Sequence, residues 1–420
     1  MNRREFLEAA ALTAALPSKS WAAGDKVNVA IVGVGGRGSS HVGDFVRRQD
    51  ANLAAVCDVD TARTERAVQT YYSARNMKPK VYGDLRKLYE DKDIDAVIIA
   101  APSHWHALAT IWACQAGKDV YVEKPACLTI EEGRAMVRAA ERYGRVVQVG
   151  SQGRSQPAAY QAASYIRNGQ LGTVRKVACW HYASPAGDWT PDSAPPPELD
   201  YDAWIGPARY IPYNSKHTHG QFRWLLDFGG GQIRDRGAHV MSIAQWIMNS
   251  DGVGPVSIDG RGEPPHDGMY DAADKMTVTY EFKNPDWTLI WAQPGEPSAE
   301  IQARYGAVYH GDRGRLTVTL GDGAGTDTEE KAKQYVVPCG GVEVFRSPGH
   351  GENFEDCVKS REKPIMNIEA GVRVAHLCIL GNLSFALGRK FEWDAVNERI
   401  LNDDEANRLL SRPGRTPWHL

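Results

Sequence analysis

Three things are scarce in this chain of 420 residues. Paired cysteine is the first. The seven cysteines, Cys57, Cys114, Cys127, Cys179, Cys339, Cys357 and Cys378, are scattered and odd in number, with no Cys-x-x-Cys, so neither a disulfide framework nor a zinc knuckle is signalled. Charge of one sign is the second: a net charge of -3 offers nothing to nucleic acid or to an anionic membrane surface. Repetition is the third: internal repeats, coiled-coil heptads and low-complexity tracts are missing. What remains is long enough for two or three domains with ample core.

The N-terminus reads as an export leader. Arg3-Arg4-Glu5-Phe6-Leu7 is a twin-arginine pattern, although Glu8 stands where a basic residue is common. A weakly apolar stretch from Ala9 to Leu16 follows, and Ser20-Trp21-Ala22 is a small-x-small cleavage site. The stretch is too short to cross a bilayer. The expectation is a leader over residues 1–23, export of a folded protein to the periplasm, and no integral membrane segment once the leader is removed.

From Lys26 strand-like and helix-like segments alternate. Val27–Val32 is a buried-strand run, Gly33-Val34-Gly35-Gly36-Arg37-Gly38 follows at once, and a helix is expected from about Ser39. Ala54–Cys57 ends at Asp58. Ile94–Ala100, Asp119–Val122 and Arg145–Val149 continue the series. This alternation predicts a parallel, doubly wound sheet over residues 24–151. The glycine pattern sits between a strand and a helix, the setting in which Gly33 permits the tight turn, Gly35 lets backbone approach a pyrophosphate and Gly38 allows close helix–strand packing. Asp58, 20 residues beyond Gly38, is spaced to bind ribose hydroxyls. A carboxylate there repels a 2′-phosphate, so NAD is expected over NADP, although Arg37 in the loop argues the other way.

Two further stretches carry chemistry. Glu123-Lys124-Pro125 closes the Asp119–Val122 strand, and Gly229-Gly230-Gly231 precedes Asp235 and His239. On a helix Asp235 and His239 share a face. Oxidising a secondary alcohol needs a hydride acceptor and a base for the hydroxyl proton. His239 has a suitable intrinsic pKa for the base, Asp235 would orient it, and Lys124 would steady the developing alkoxide. Glu123 is read as shaping the turn or pairing with a cation. His104-x-His106 and His217-x-His219 lack a local carboxylate or cysteine to complete a metal set, and no metal is expected.

Gly33-x-Gly35-x-x-Gly38, Ala101-Pro102-Ser103-x-x-His106, Ala116-Gly117-Lys118-x-Val120-x-x-Glu123-Lys124-Pro125 and Asp235-x-Gly237-x-His239 occur in order. Together they resemble the family of glucose–fructose oxidoreductase, inositol dehydrogenase and rhizopine catabolism proteins (Gfo/Idh/MocA). The resemblance implies a Rossmann domain followed by a large, open, mostly antiparallel sheet, a tightly held nicotinamide cofactor, and a sugar, polyol or related substrate. It assigns catalysis to Lys124, Asp235 and His239, and sets the Pro102–His106 loop beside the nicotinamide. Candidate cofactor contacts are then Gly33, Gly35, Gly36, Arg37, Gly38, Asp58, Pro102, His106, Glu123 and Lys124. The resemblance also implies a homodimer or homotetramer through the open sheet face.

After Ser151 the alternation stops, and residues 152–420 read as an α+β substrate and oligomerisation domain. Strands are expected at Val174–Trp180, Lys275–Phe282, Thr288–Trp291, Ala307–His310 and Leu316–Leu320, with late helices at Asn353–Arg361, Ile368–Leu387 and Asp404–Leu409. Between Ala183 and Trp224 lies a long segment rich in proline, glycine and aromatics. A loop of that length is functional or disordered, and so many aromatics argue against disorder. Most of its rings are expected to anchor the loop or meet another subunit. Trp105, Tyr182, Arg223 and Trp224, with His239, are the candidate sugar contacts, because sugar C–H faces stack on aromatic rings.

The leading reading is an exported, NAD-dependent oxidoreductase acting on a secondary hydroxyl of a small carbohydrate, polyol or glycoside. A second reading is an NAD-dependent glycosidase that oxidises C3 transiently, eliminates the aglycone, adds water and reduces again with no net redox. The Tyr-Pro-Thr-His-Gly-type stretch associated with galactosaminidases of that kind is missing. The third reading, a nucleotide-holding regulator without turnover, is disfavoured by the intact Lys124 and His239.

Overall fold

The computed structural model of this chain describes residues 21–22, 24–48, 51–265, 268–295, 305–321 and 325–419. The twin-arginine stretch and the apolar run after it lie outside the described residues.

The first half is built as the alternation predicts: β1 (Val27–Val32), α1 (Gly36–Arg47), β2 (Ala51–Cys57), α2 (Thr61–Arg75), β3 (Lys80–Tyr82), α3 (Leu85–Glu90), β4 (Ala96–Ile99), α4 (His106–Gln115), β5 (Asp119–Glu123), α5 (Ile130–Arg142) and β6 (Val147–Gly150). The six strands are parallel in the order β3-β2-β1-β4-β5-β6. β4, β5 and β6 are buried along their whole length, as strands covered by helices on both faces must be. The order reverses between β1 and β4, which opens a crevice at their carboxyl ends. α5 begins with a full capping box, Thr129 with Glu132, directly after the Lys124–Leu128 turn, and so fixes where that turn ends.

The second half begins with α6 (Pro157–Arg167) and β7 (Val174–Trp180). The insert follows and carries the short α7 (Tyr201–Ile205). α8 (Ala238–Ile247) comes next, then β8 (Ser257–Glu263), β9 (Lys275–Phe282), β10 (Trp287–Gln293), β11 (Tyr305–Gly311), β12 (Gly314–Gly321) and β13 (Gly325–Thr328). The chain closes with α9 (Glu330–Lys333), α10 (His350–Ser360), α11 (Ile368–Leu387), β14 (Phe391–Asp394), β15 (Arg399–Ile400) and α12 (Asp404–Arg408). The strands join in the order β13-β12-β11-β7-β10-β9-β8-β14-β15, antiparallel except for β7 beside β10. One face of this sheet carries the core: Trp287, Leu289, Trp291 and Gln293 of β10 are buried, while Thr288, Ile290 and Ala292 on the other face are half-exposed. α11 passes a length and composition test for a membrane span, but 67% of that stretch is buried, and it packs on β8, α5 and α8 as a core helix.

The insert has its own small core of Leu199, Tyr201, Trp204, Ile205, Trp224 and Phe228 with near neighbours. Most of its rings therefore anchor the loop, as expected.

Candidate active site

The crevice at the carboxyl ends of β1, β2, β4 and β5 is one wall of a cleft of about 940 Å³. The glycine loop forms its floor. Gly33 has φ +81°, and a Cβ on Gly38 would lie 1.8 Å from the Gly33 carbonyl oxygen, so neither position accepts a side chain. α1 starts at Gly36 with no side-chain cap, which leaves its first N–H groups available to an anion. Asp58 accepts hydrogen bonds from the backbone N–H of Val34 (2.8 Å) and of Asp60 (3.0 Å), using two of its lone-pair sites and bracing the loop against β2. Burial raises its pKa, and those N–H groups oppose the shift. The Arg63 guanidinium lies over Gly35, where a Cβ would fall 1.4 Å from its Nη1. A bare glycine floor, an uncapped helix start, a cation above it and a carboxylate at the end of β2 together fit a dinucleotide.

Glu123, the last residue of β5, is buried. Its Oε1 accepts from Arg37 Nε (3.0 Å) and Gln152 Nε2 (2.9 Å) and lies 2.8 Å from His41 Nε2. Burial alone would raise this carboxyl, but the contact with His41 and the Arg37 charge outweigh it and hold it far below the usual range. Glu123 thus pairs with a cation, Arg37, as expected. Arg37 is drawn toward it, which weakens the case for Arg37 as a reader of a 2′-phosphate. His106 bridges two loops, with Nδ1 2.7 Å from the Pro125 oxygen and Nε2 2.9 Å from the Ala101 oxygen. Burial lowers its pKa and the two carbonyls pull the other way. The Lys124-Pro125 bond in this turn is cis.

Lys124 leaves β5 into the cleft. Its Nζ donates to the Asp235 carboxylate (2.7 Å) and to the Asp235 carbonyl (2.7 Å). Asp235 sits in a π-helical turn, Ile233–Gly237, that leads into α8. Turns of that type are frequent at functional sites. Its second carboxylate oxygen lies 3.4 Å from Arg223 and 3.5 Å from Arg236. Burial pushes the Asp235 carboxyl up, but Lys124, Arg223 and Arg236 reverse the shift and keep it ionised. His239, on the first turn of α8, borders the same cleft. Burial lowers its pKa to about 3 and the Lys124 charge adds to this, against Glu123 and Asp235.

Lys124, Asp235 and His239 therefore come together, with one correction. Asp235 does not orient the imidazole. The neighbouring cations take up its oxygens, and no protein group among the described residues hydrogen-bonds the His239 ring.

The candidate sugar contacts divide. Arg223 lines the cleft, held by its own Nε donating to the Gly220 oxygen (2.8 Å). Tyr182, two residues beyond the end of β7, lies outside the cleft lining and is half-exposed. Trp224 is buried in the insert core, its indole N–H donating to Gln221 (3.0 Å). Trp105 borders the cleft but is packed as core, and its indole N–H donates to the Ala203 and Trp204 oxygens (3.1 Å each). His104 is likewise buried against the Trp204 oxygen (2.8 Å). Among the described residues no group of three or more potential metal ligands occurs.

Several cleft residues escaped the sequence reading. Gln152 follows β6, and the carboxyl-edge rule could have found it. Arg236 adjoins Asp235 in sequence. Tyr305 and Thr326 are delivered by β11 and β13 and carry no local signal.

Comparison with known proteins agrees with this architecture. Residues 27–151 match the oxidoreductase family's NAD-binding Rossmann fold, and residues 176–320 and 341–420 match the same family's C-terminal alpha/beta domain. The chain belongs to this oxidoreductase family, and residues 27–151 are an NAD-binding domain. A glycosyl hydrolase family 109 protein of Stenotrophomonas maltophilia is 40% identical over 142 residues, 31% of this chain and 31% of that one. An alpha-N-acetylgalactosaminidase of Shewanella oneidensis is 42% identical over 120 residues, 28% of this chain and 26% of that one. The chain thus aligns with less than a third of the length of these relatives. GenD2 from gentamicin A biosynthesis, solved in complex with NAD, shares the fold at a TM-score of 0.65 and 19% identity, over 90% of this chain and 100% of that one.

Proposed function

We propose that this protein is an NAD-dependent oxidoreductase acting on a secondary hydroxyl of a sugar, polyol or glycoside. The observation that carries the reading is Lys124 at the end of β5, bonded to Asp235 and facing the cleft that His239 also borders. When bound, NAD supplies the hydride acceptor. The rest is work for the chain's own groups. Asp235, kept ionised, holds the Lys124 side chain in place. Lys124 then hydrogen-bonds the substrate oxygen and stabilises negative charge as it develops there. His239, neutral and without a hydrogen-bond partner among the described residues, accepts the hydroxyl proton. The buried His106 ring, lodged between the Pro125 and Ala101 oxygens, braces the turn that carries Lys124.

A second reading, the NAD-recycling glycosidase, is favoured by the 40% identity to a family 109 glycosyl hydrolase. It uses the same residues, since transient oxidation at C3 also needs a base and an alkoxide partner. The likeness is confined to 31% of the chain, so the oxidoreductase reading stands first.

The two part in one experiment. Purified protein is given a panel of sugars and aryl glycosides while absorbance is followed at the reduced-nicotinamide band and products are collected. A lasting rise with a keto-sugar product supports the oxidoreductase. Aglycone release without a lasting rise replaces it with the glycosidase, and neither signal removes both.

The proposed organisation is a leader over residues 1–23, a cofactor domain over 24–151 and a substrate domain over 152–420, exported by the twin-arginine route. A homodimer or homotetramer through the half-exposed sheet face completes the reading. Light scattering on the mature protein tests the assembly, and Ile290→Glu on that face is expected to dissociate it.

A further inference from the structure

The insert belongs to the second domain by sequence, yet it is tied to the first. The backbone N–H of Thr61 donates to the Glu198 oxygen (3.0 Å) and that of Asp200 to the Val59 oxygen (2.9 Å), and an antiparallel bridge pairs Asp60 with Leu199. The insert thus extends the loop that follows β2. Deeper in, the carbonyls of Ala203 and Trp204 hold the Trp105 indole, and Gly206 lies so close to that ring that a Cβ would stand 2.2 Å away.

The C-terminal tail closes over this seam. Arg415 donates from Nε to the Gly206 oxygen (2.9 Å) and from Nη1 to the Asp202 carboxylate (2.6 Å). Trp418 packs edge-on against Trp105 at 5.2 Å, and the Arg86 guanidinium lies 4.9 Å above the Trp418 ring.

Position decides what this seam can bind. In a doubly wound sheet the dinucleotide crosses the switch point between β1 and β4, and the ribose-binding acid at the end of β2 marks the adenosine half. Asp58 is that acid. Arg86 follows β3, farther out on the same side. Asp202, Trp204 and Trp418 border the same cleft. Trp418 also carries a feature that calls for a ligand: its indole N–H is buried and has no hydrogen-bond partner among the described residues. A buried donor left unpaired is costly, and a ligand acceptor would satisfy it.

We propose that the adenosine half of the cofactor is bound and covered by the insert and the C-terminal tail, with Trp418 as a direct contact and the Asp202–Arg415 pair as the latch. The proposal rests on the NAD reading above and gives the insert a role in cofactor retention. A ligand enclosed in this way leaves only when the latch opens, so loss of the latch raises the dissociation rate.

The test uses the full mature chain and ADP-ribose, which carries the adenosine half without nicotinamide. Dissociation constants for ADP-ribose and NAD are measured by calorimetry for the wild type, Trp418→Ala, Arg415→Ala and Asp202→Asn, with a thermal melt of each. The NAD that survives gel filtration is measured in parallel. The expected result is at least tenfold weaker ADP-ribose binding in Trp418→Ala and loss of NAD from both latch variants. Asp202 is solvent-facing, so Asp202→Asn keeps the test valid if Trp418→Ala does not fold. Folded variants with unchanged ADP-ribose and NAD affinity overturn the proposal and leave the NAD reading intact. A wild type that binds neither ligand overturns both.

Discussion

The ammonium of Lys124 lies 2.7 Å from the Asp235 carboxylate, across 111 residues of sequence and the boundary between the two sheets. One partner ends a strand of the parallel sheet and the other opens a helix packed on the mixed sheet. The pair therefore reports whether the two halves are docked, and it positions the group proposed to meet the substrate oxygen.

Removing Lys124 separates chemistry from cofactor binding. Lys124→Ala is expected to lower kcat by roughly 10²–10³, the usual cost of one oxyanion-stabilising donor. Cofactor content should stay at the wild-type level, because the glycine loop and Asp58 are untouched. Normal turnover in a folded Lys124→Ala protein removes the residue from the mechanism.

His239→Ala is expected to lower kcat by about 10²–10⁴, the range for a general base. With a pKa lowered to about 3, the imidazole is neutral throughout the working range. The kcat/KM profile should therefore show no limb near pH 6.5 that vanishes in the variant. Such a limb in the wild type, absent from His239→Ala, would show that the ring titrates near its ordinary value.

Asp58→Ala removes the acceptor for the Val34 and Asp60 N–H groups as well as the carboxylate at the ribose position. Hydrogen bonds to a charged group contribute ~1.5–3 kcal/mol, so NAD affinity should fall about tenfold or more. Discrimination against NADP should narrow at the same time. Unchanged affinity ratios in titrations of both cofactors would mean that this carboxylate does not read the ribose.

Acid should destabilise the fold before its carboxylates titrate. Burial lowers the pKa of His104 and His376 to about 3 and that of His350 to about 4. The same groups take up protons near pH 6.5 in the unfolded chain. Between those limits the unfolded state binds more protons, so stability falls as pH drops, at ~1.4 kcal/mol per pH unit for each ring that stays neutral. Urea midpoints at pH 7.5, 6 and 5 should decline in that order. A flat series is incompatible with neutral buried imidazoles.

Much of the parallel sheet could be read strand by strand, because each run is mostly apolar and punctuated by glycine or aspartate. β3 was missed: three residues, Lys80–Tyr82, are too few to carry a period. β14 and β15 escaped for the same reason. The catalytic candidates were legible because they lie at strand or helix ends with unusual neighbours. Tyr182 and Trp224 fall outside the cleft lining while Trp105 borders it, a division that the sequence could not make. An aromatic in a loop has the same composition whether it faces a ligand or a neighbouring ring, and only packing separates the two.

The sequence by itself determined the local chemistry: a glycine loop between strand and helix, an acid at ribose spacing, and Lys124, Asp235 and His239 at chain positions able to meet. These follow from backbone sterics and side-chain type, which act over a few residues. The tertiary structure alone decided which charge Asp235 faces, that the insert lies against the loop after β2, and that Trp418 returns to the cleft. Those outcomes depend on the docking of two sheets and on contacts spanning up to more than 200 residues, such as Arg415 with Asp202. No local period or propensity encodes pairings of that range.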